Sequence, residues 1–422
     1  RTKDDTATAR TITWPSGFVW DGGTEPTLLS VSKPAAYEAQ VFKLTTRDNG
    51  ATWYGREVVN YNVDQPGELW SWGYGISGRL GLNDTTQRSS PVQVPGTNWL
   101  SMPLEGLSSG GYDTSWASIK SDGTLWTWGV NTFGNLGQNS TTQYSSPIQI
   151  PGTTWKKVEM DYRSVMATKT DGTLWGWGQG HYGVLGINAL GYVSSPTQVP
   201  GTTWDKPFVG QNGSAGALKT DGTLWMWGEN AAGSLAQNDT TQRSSPIQVG
   251  TETTWSGVTI GRYWVIGSKT DGTLWAWGWN NNGNLGHNNN TDYSSPVQIP
   301  GTTWSSNLSC GIYSSLTIKT DGTLWTWGRG GYGDLGHNQA GTIRYSSPVQ
   351  VPGTTWSQVS GSYFQTNGIK SDGTLWTWGL NDNGNLGHNN TISYSSPVQI
   401  PGTDWLRVGS GMRFTQAIKA SN

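Results

Sequence analysis

The sequence predicts an all-β protein: a seven-bladed β-propeller with a composite N/C-terminal closing blade, plus a small N-terminal antiparallel β module. Three observations carry that expectation. The stretch TDGTLWTWG at Thr320 to Gly328 recurs with its first Trp at Trp70, Trp126, Trp175, Trp225, Trp275, Trp325 and Trp376, a period near fifty residues. A fixed period of that size marks a repeat architecture. Each period holds four short β-like runs separated by turn residues, which is the content of a propeller blade. The two ends of the repeat are halves of one unit. The first copy lacks the IKTDG turn and reads Gln65-Pro66-Gly67 instead, while the chain closes on WLRVGSGMRFTQAIK. Trp405 to Lys419 supplies two strands and Glu68 to Val94 the other two, so pairing them removes both free edges.

Residues 1–65 stand apart from the repeat, and the domains are read as 1–65 and 66–422. Residues 1–10 are polar and read as an arm. From Thr11, two short β-like runs are broken by Pro15-Ser16-Gly17 and Asp21-Gly22-Gly23. VFKLTTRDNGATWYG then reads as a hairpin turning at Asp48-Asn49-Gly50, residues that tolerate positive φ. A module this small buries little surface alone. Its apolar residues, among them Trp14, Phe18, Trp20, Phe42, Trp53 and Tyr54, are therefore candidates for assembly with another chain.

Within LWTW, alternation puts Trp325 and Trp327 on one face and Leu324 and Thr326 on the other. Asp321-Gly322 makes the tight turn before them. A third Trp ends each PGTTW element, at Trp99, Trp155, Trp204, Trp255, Trp304, Trp356 and Trp405. The three columns take 21 of the 27 Trp, and their recurrence inside strands predicts a core role rather than a sugar-stacking surface. Such a ladder offsets the ordering entropy of a chain with 60 Gly. Ala236 replaces Gly at the LG position of one copy, which points to a locally adjusted loop.

Composition excludes several classes. Charged residues are 13% and the formal net charge is −2, so no basic face for DNA or RNA is expected. No apolar run approaches the ~20 residues that span a bilayer, so no membrane insertion is expected. The one cysteine, Cys310, can make no intrachain disulfide and reads as a small buried residue. Arg1 opens no charged-then-apolar leader, and the missing initiator Met points to a processed or partial chain.

Repeats such as ASIKSDGTLWTWGVNTFGNLG, from Ala117, resemble the regulator of chromosome condensation repeat family over residues 66–422. The resemblance implies a seven-bladed propeller. The best-known relative is a guanine nucleotide exchange factor for a small GTPase; many others are binding scaffolds. Exchange factors carry a protruding β-wedge and a chromatin-binding tail. Here the spacings are nearly uniform, with the largest excess around Leu100 to Gly111, and the N-terminal arm is not strongly basic. Nucleotide exchange is therefore not expected. WPSGFVWDGGTEPTL and TTRDNGATWYG, within residues 11–56, resemble short modules in structural proteins of tailed bacteriophages.

No catalytic, metal or cofactor signature stands out. His287, His337 and His388 share one LGHN position in successive copies, which spreads them around a ring instead of converging them on a metal. The six DGT aspartates read as turn formers. The suggestive column lies before SSP: Arg88, Tyr144, Val193, Arg243, Tyr293, Tyr345 and Tyr394. Planar amphipathic groups at the end of a polar loop suit a ligand-binding rim. The leading functional expectation is a non-enzymatic structural or recognition protein, a phage fibre, spike or decoration component at a virion or extracellular surface. Its N-terminal module would join other virion or surface proteins, and its propeller would meet a host receptor or glycan. A homo-oligomer is compatible with this reading. The alternatives are a cellular protein-interaction scaffold or GTPase regulator, and a carbohydrate-binding lectin.

Overall fold

The computed structural model describes residues 65–103, 114–161, 163–339 and 341–421, together with the strand backbones of 18–20, 38–46, 53–62 and 105–107. The chain divides into two compact units, residues 1–65 and 66–422.

In the first unit, Glu38–Thr46 pairs antiparallel with Trp53–Asn62, as the hairpin reading expected. Phe18–Trp20 pairs with the same strand but runs parallel, placing Phe18 beside Trp53 and Trp20 beside Gly55. The three-stranded sheet is thus mixed, which corrects the purely antiparallel expectation. Trp14, the turn Asp48-Asn49-Gly50, and the side chains of Phe18, Trp20, Phe42, Trp53 and Tyr54 lie outside the described residues.

The second unit is a propeller of seven four-stranded blades. Blade I is composite: Trp405–Gly411 pairs with Phe414–Ala420, which pairs with Gly67–Gly73, which pairs with Arg88–Gln93. The closing register runs from Phe414 opposite Gly73 to Ala420 opposite Gly67. Blade II spans 99–150, III 155–199, IV 204–248, V 255–299, VI 304–350 and VII 356–400. First strands of neighbouring blades touch. Ser360 Oγ donates to Ser410 Oγ at 2.9 Å, and Gly361 N donates to Ser309 Oγ at 2.8 Å. The excess residues of blade II place Glu105–Leu107 as a parallel strand between the first strands of blades I and III. No inserted hairpin leaves the ring among the described residues, and no helix there is long and apolar enough to cross a membrane.

The repeated residues have separable tasks. Asp321 Oδ1 accepts from Thr323 N at 3.0 Å and from Thr323 Oγ1 at 2.7 Å, and Thr323 Oγ1 accepts from Trp325 Nε1 at 2.8 Å. The same Asp–Thr–Trp relay recurs at Asp122, Asp171, Asp221, Asp271 and Asp372. It fixes the turn and satisfies the indole N–H at once. The second Trp stitches blades together. Trp128, Trp177, Trp227, Trp277, Trp327 and Trp378 each donate Nε1–H to a backbone carbonyl of the preceding blade. Backbone bonds repeat the seam: Asn83, Asn139, Asn188, Asn238, Asn288, Asn338 and Asn389 each donate N–H to a Ser carbonyl of the next blade's outer strand, the last closing onto Ser89.

The second and third Trp columns are buried, Trp327 fully and Trp304 to 3% exposure. The first column is only half-buried, which corrects the core reading for Trp70, Trp126, Trp175, Trp225, Trp275, Trp325 and Trp376. The reason is position: these indoles sit at the turn end, under the Lys that closes the second strand. Lys319 Nζ lies 4.5 Å from the Trp304 centroid and 4.1 Å from that of Trp325. Trp304 and Trp325 meet edge to face at 6.0 Å. Such ring pairs contribute about 0.5–1.5 kcal/mol beyond area burial. Cys310 is buried in the cluster between blades V and VI, with Trp264, Leu308 and Trp327.

Candidate functional site

Antiparallel pairing makes two loops of each blade leave the sheet at the same end. One joins strands one and two, and the other joins strands three and four. The opposite end carries the DGT turns and PGTT loops, which are nearly identical from copy to copy. The first end, the loop face, is where the copies differ.

The difference is concentrated in two positions held side by side. The residue after each Trp-Gly donates its N–H to the carbonyl of the residue before strand two, in all seven blades. These pairs are Tyr74–Arg413 in blade I, Val130–Thr114 in II, Gln179–Arg163 in III and Glu229–Gly213 in IV. Blades V, VI and VII present Trp279–Tyr263, Arg329–Tyr313 and Leu380–Phe364. An invariant backbone bond therefore presents a variable pair of side chains seven times. Tyr, Trp, Phe and Arg dominate the set, the residue types enriched where proteins recognise one another.

Two clefts open between these pairs. One, of about 490 Å³, spans blades V to VII and is lined by Arg262, Tyr313, Arg329, Tyr332, Tyr363 and Phe364, among others. Arg262 Nη1 donates to Tyr313 Oη at 3.1 Å, and the Arg329 guanidinium lies 5.1 Å from the Tyr313 centroid. Tyr332 is half-exposed and meets Phe364 edge to face at 5.1 Å. The other, of about 730 Å³, spans blades III to V. Its wall includes Asp161, Arg163, Gln179, Gln211, Glu229, Tyr263, Trp279 and Asp292.

Positive-φ residues occur at both ends, with Thr203 and Thr355 at +68° and +70° in the turn-face loops. Tyr182, Phe364 and Arg413 have φ of +58°, +51° and +61°. Non-glycine residues in this region cost about 1–3 kcal/mol and cluster at functional sites. Electrostatics follow burial. Burial pushes the Asp161 carboxyl up to about 7, although Oδ1 accepts from Arg163 N at 2.8 Å and Ser164 N at 2.5 Å. Burial also raises Glu229 and Asp334. Asp334 Oδ1 accepts from Gly331 N at 2.8 Å, which shapes the loop beneath Tyr332.

The column expected as a rim sits elsewhere on each blade. Arg88, Tyr144, Arg243, Tyr293 and Tyr394 open the outer strands, and Tyr345 lies two residues inside its own. The polar SSP stretch is thus strand, not loop. An outer edge strand is half-solvated and bulged, so it lacks the apolar alternation that signals a strand. The structure brings none of these side chains together; they form a half-buried ring, each fastened to its own blade. Arg88 pairs with Asp84 at 2.6 Å and Arg243 with Asp239 at 2.7 Å. Tyr293, Tyr345 and Tyr394 pack edge to face on His287, His337 and His388 at 5.3, 5.2 and 5.2 Å. Asn289 and Asn390 donate to the hydroxyls of Tyr293 and Tyr394, each at 3.1 Å. Tyr144 is half-buried.

Each histidine also belongs to its blade. His337 Nε2 lies 2.9 Å from Thr326 Oγ1, His388 Nε2 2.9 Å from Thr377 Oγ1, and His287 Nε2 3.1 Å from Val297 O. Among the described residues, no three His, Cys, Asp or Glu are placed to hold a metal ion. The loop-face pairs were missed in the sequence. Their signal was disagreement between copies at two columns flanked by identity.

Solved propellers share this architecture. Yeast RCC1 (Prp20), solved bound to Kap60, has a TM-score of 0.72 at 18% identity, covering 85% of this chain and 90% of that one. Human WBSCR16 has the same TM-score and identity, covering 84% of this chain and 99% of its own. At that identity the likeness shows the fold alone. Among curated proteins, the ultraviolet-B receptor UVR8 of Arabidopsis thaliana is 31% identical over 23% of this chain and 21% of its own length. The human E3 ubiquitin-protein ligase HERC2 is 32% identical over 22% of this chain and 2% of its own length. The matched part of the chain thus spans about a fifth of the plant receptor and a small fraction of the ligase. The RCC1-like domain matches residues 68–417, most of the chain, and the protein belongs to the RCC1-like domain family.

Proposed function

We propose that the propeller is a protein-interaction scaffold whose loop face recognises a protein partner. One observation carries the reading: seven invariant backbone bonds each present a variable pair, and five of the seven pairs include Tyr, Trp, Phe or Arg. Fixed geometry with variable chemistry is what a rigid ring needs to build a recognition surface. Relatives give it context. Yeast Prp20p has been crystallised with Kap60 and studied for its binding to Gsp1p and histones. Arg88, Tyr144, Arg243, Tyr293, Tyr345 and Tyr394 extend the same face outward in this reading. Attachment to a virion rests on residues 11–56 alone and gains nothing from the family match, so the interaction-scaffold alternative is carried forward.

The test is capture of partners by the immobilised full chain from extracts of its source. R329A/Y332A is compared with T302A on the turn face. The proposal expects R329A/Y332A to release bound proteins that T302A retains. Equal capture by both variants, at unchanged thermal stability, would remove the loop face from the function.

A further inference from the structure

The cleft over blades III to V is more specific than a general contact surface. Gln211 is only 2% exposed and lines the cleft, yet neither Nε2 nor Oε1 has a hydrogen-bond partner. An unpaired buried amide costs roughly 1–3 kcal/mol. A buried amide that the chain itself leaves unpaired calls for a partner from outside the chain. The nearby Asn212 Nδ2 is also buried without a partner.

Charge says what arrives. Three carboxylates line the cleft: Asp161 at 4% exposure, Glu229 at 6%, and Asp292 at the exposed rim. Glu229 Oε1 accepts only from Ala231 N, at 2.6 Å, and no cation pairs with it. Asp292 Oδ1 accepts from Asn280 N at 2.7 Å. Arg163 is the one arginine or lysine in the wall, and its charge already acts on the Asp161 carboxyl. Its Nη1 donates to Gln179 Oε1 at 3.0 Å, and its guanidinium lies over Phe133 at 5.0 Å. Burying a carboxyl such as Glu229, held by one backbone N–H and no cation, is costly, and an incoming cation removes that cost. Tyr263 and Trp279, edge to face at 6.4 Å, add π surface to the same wall.

We propose that this cleft receives an arginine side chain of a protein partner, its guanidinium between Asp161 and Glu229 and against the Gln211 carbonyl oxygen. The assignment rests on the loop-face reading above. Arginine fits better than lysine because its planar fork of five donors matches two carboxylates and an amide acceptor together. A cleft of about 730 Å³ also takes the backbone on either side of the inserted residue.

The experiment titrates the full-length protein with a fluorescein-labelled octapeptide, GSGRGSGS, and with its citrulline counterpart. Citrulline keeps the shape and loses the charge. Variants E229Q and D161N keep shape and a hydrogen-bond acceptor, and E229Q stands in if D161N fails to fold. The expected result is saturable binding of the arginine peptide, at least tenfold weaker for citrulline and for E229Q. Equal affinity for the two peptides, unchanged affinity in E229Q, or no saturable binding of the arginine peptide would overturn the assignment. Those outcomes leave the wider reading standing if R329A/Y332A still abolishes partner capture, so the two failures are distinguishable.

Discussion

Two glycines three residues apart in blade V do different work, and substituting each measures the difference. Gly283 has φ +73°, and an added Cβ would lie 2.7 Å from Ser346 Cα of blade VI. That contact is with backbone and cannot yield unless the blades part. Parting them weakens the bond from Asn288 N to Ser346 O, now 2.6 Å. Gly286 has φ +77°, but its Cβ would meet the Trp327 indole Nε1, at 2.9 Å. A side chain can swing by a few tenths of an ångström. Blade IV shows that it does: Ala236 occupies the equivalent position at φ +59°, and Trp277 Nε1 still donates to Ser234 O at 2.7 Å. The loop around Ala236, expected to be locally adjusted, keeps its backbone bond: Ala236 N donates to Gly233 O at 3.1 Å, as Gly286 N does to Gly283 O. For G286A, left-handed strain of about 1–2 kcal/mol is partly offset by about 0.4–1 kcal/mol of lost unfolded-state freedom, leaving about 1 kcal/mol. For G283A, the same terms are joined by overpacking of about 1–3 kcal/mol and a weakened inter-blade bond of about 1 kcal/mol. The total is about 3 kcal/mol or more. Urea unfolding followed by Trp fluorescence reads both, with hydrogen exchange at the blade V–VI seam as the local check. Equal costs for the two variants, or a G283A cost below about 1 kcal/mol, would refute the seam argument.

Other expectations concern pH and activity. The raised Asp161 carboxyl contributes stability that is full below the ordinary value of 3.8, declines as pH rises, and is gone above about 7. D161N should therefore gain stability relative to wild type between pH 4.5 and 7.5; a constant difference across that window would contradict the burial. His337 and His388 are held below their ordinary value of 6.5 by burial, so their contribution is full above 6.5 and is lost as pH falls through the lowered value. H337Q/H388Q, borrowing the residue found at Gln138 and Gln237, should flatten the stability loss between pH 7.5 and 5; an unchanged slope would contradict it. The regular blades and the absence of an inserted hairpin among the described residues predict no acceleration of GDP release from a small GTPase. Fluorescent-GDP release at catalytic protein concentrations checks this.

The propeller was legible because its information is repeated. Trp327, the LG glycine and the DGT turn recur at one period, and the split ends of the repeat disclosed the closing blade. Depth was less legible. Alternation assigns Trp325 and Trp327 to one face but cannot say that Trp325 lies at the turn end under Lys319 while Trp327 is sealed against the previous blade. Outer strands such as Tyr293–Ile299 were obscured because an edge strand carries Ser, Pro and Gln without penalty. The candidate site was the least legible part. Tyr144 and its equivalents drew attention as planar amphipathic groups ending a polar loop; that Tyr293 and Tyr394 accept from Asn289 and Asn390 of their own loops is visible only in three dimensions. Arg329 and Tyr313 carry no motif at all, and the bond from Arg329 N to Tyr313 O, with the Arg329 guanidinium 5.1 Å from the Tyr313 centroid, brings them together only in the fold. The Gln211 amide is legible only once its neighbours are placed, since being unpartnered is a property of three dimensions.

The most direct measurement replaces Tyr332 on the loop face, or Thr302 on the turn face, with a photo-reactive phenylalanine analogue. Each full-length protein is irradiated in extract of its source, and the adducts are compared by mass. The account predicts discrete protein adducts at Tyr332, competed by unlabelled wild-type protein, and none at Thr302. Adducts confined to Thr302, or equal and uncompeted at both positions, would contradict the claim that the loop face is where this propeller meets its partner.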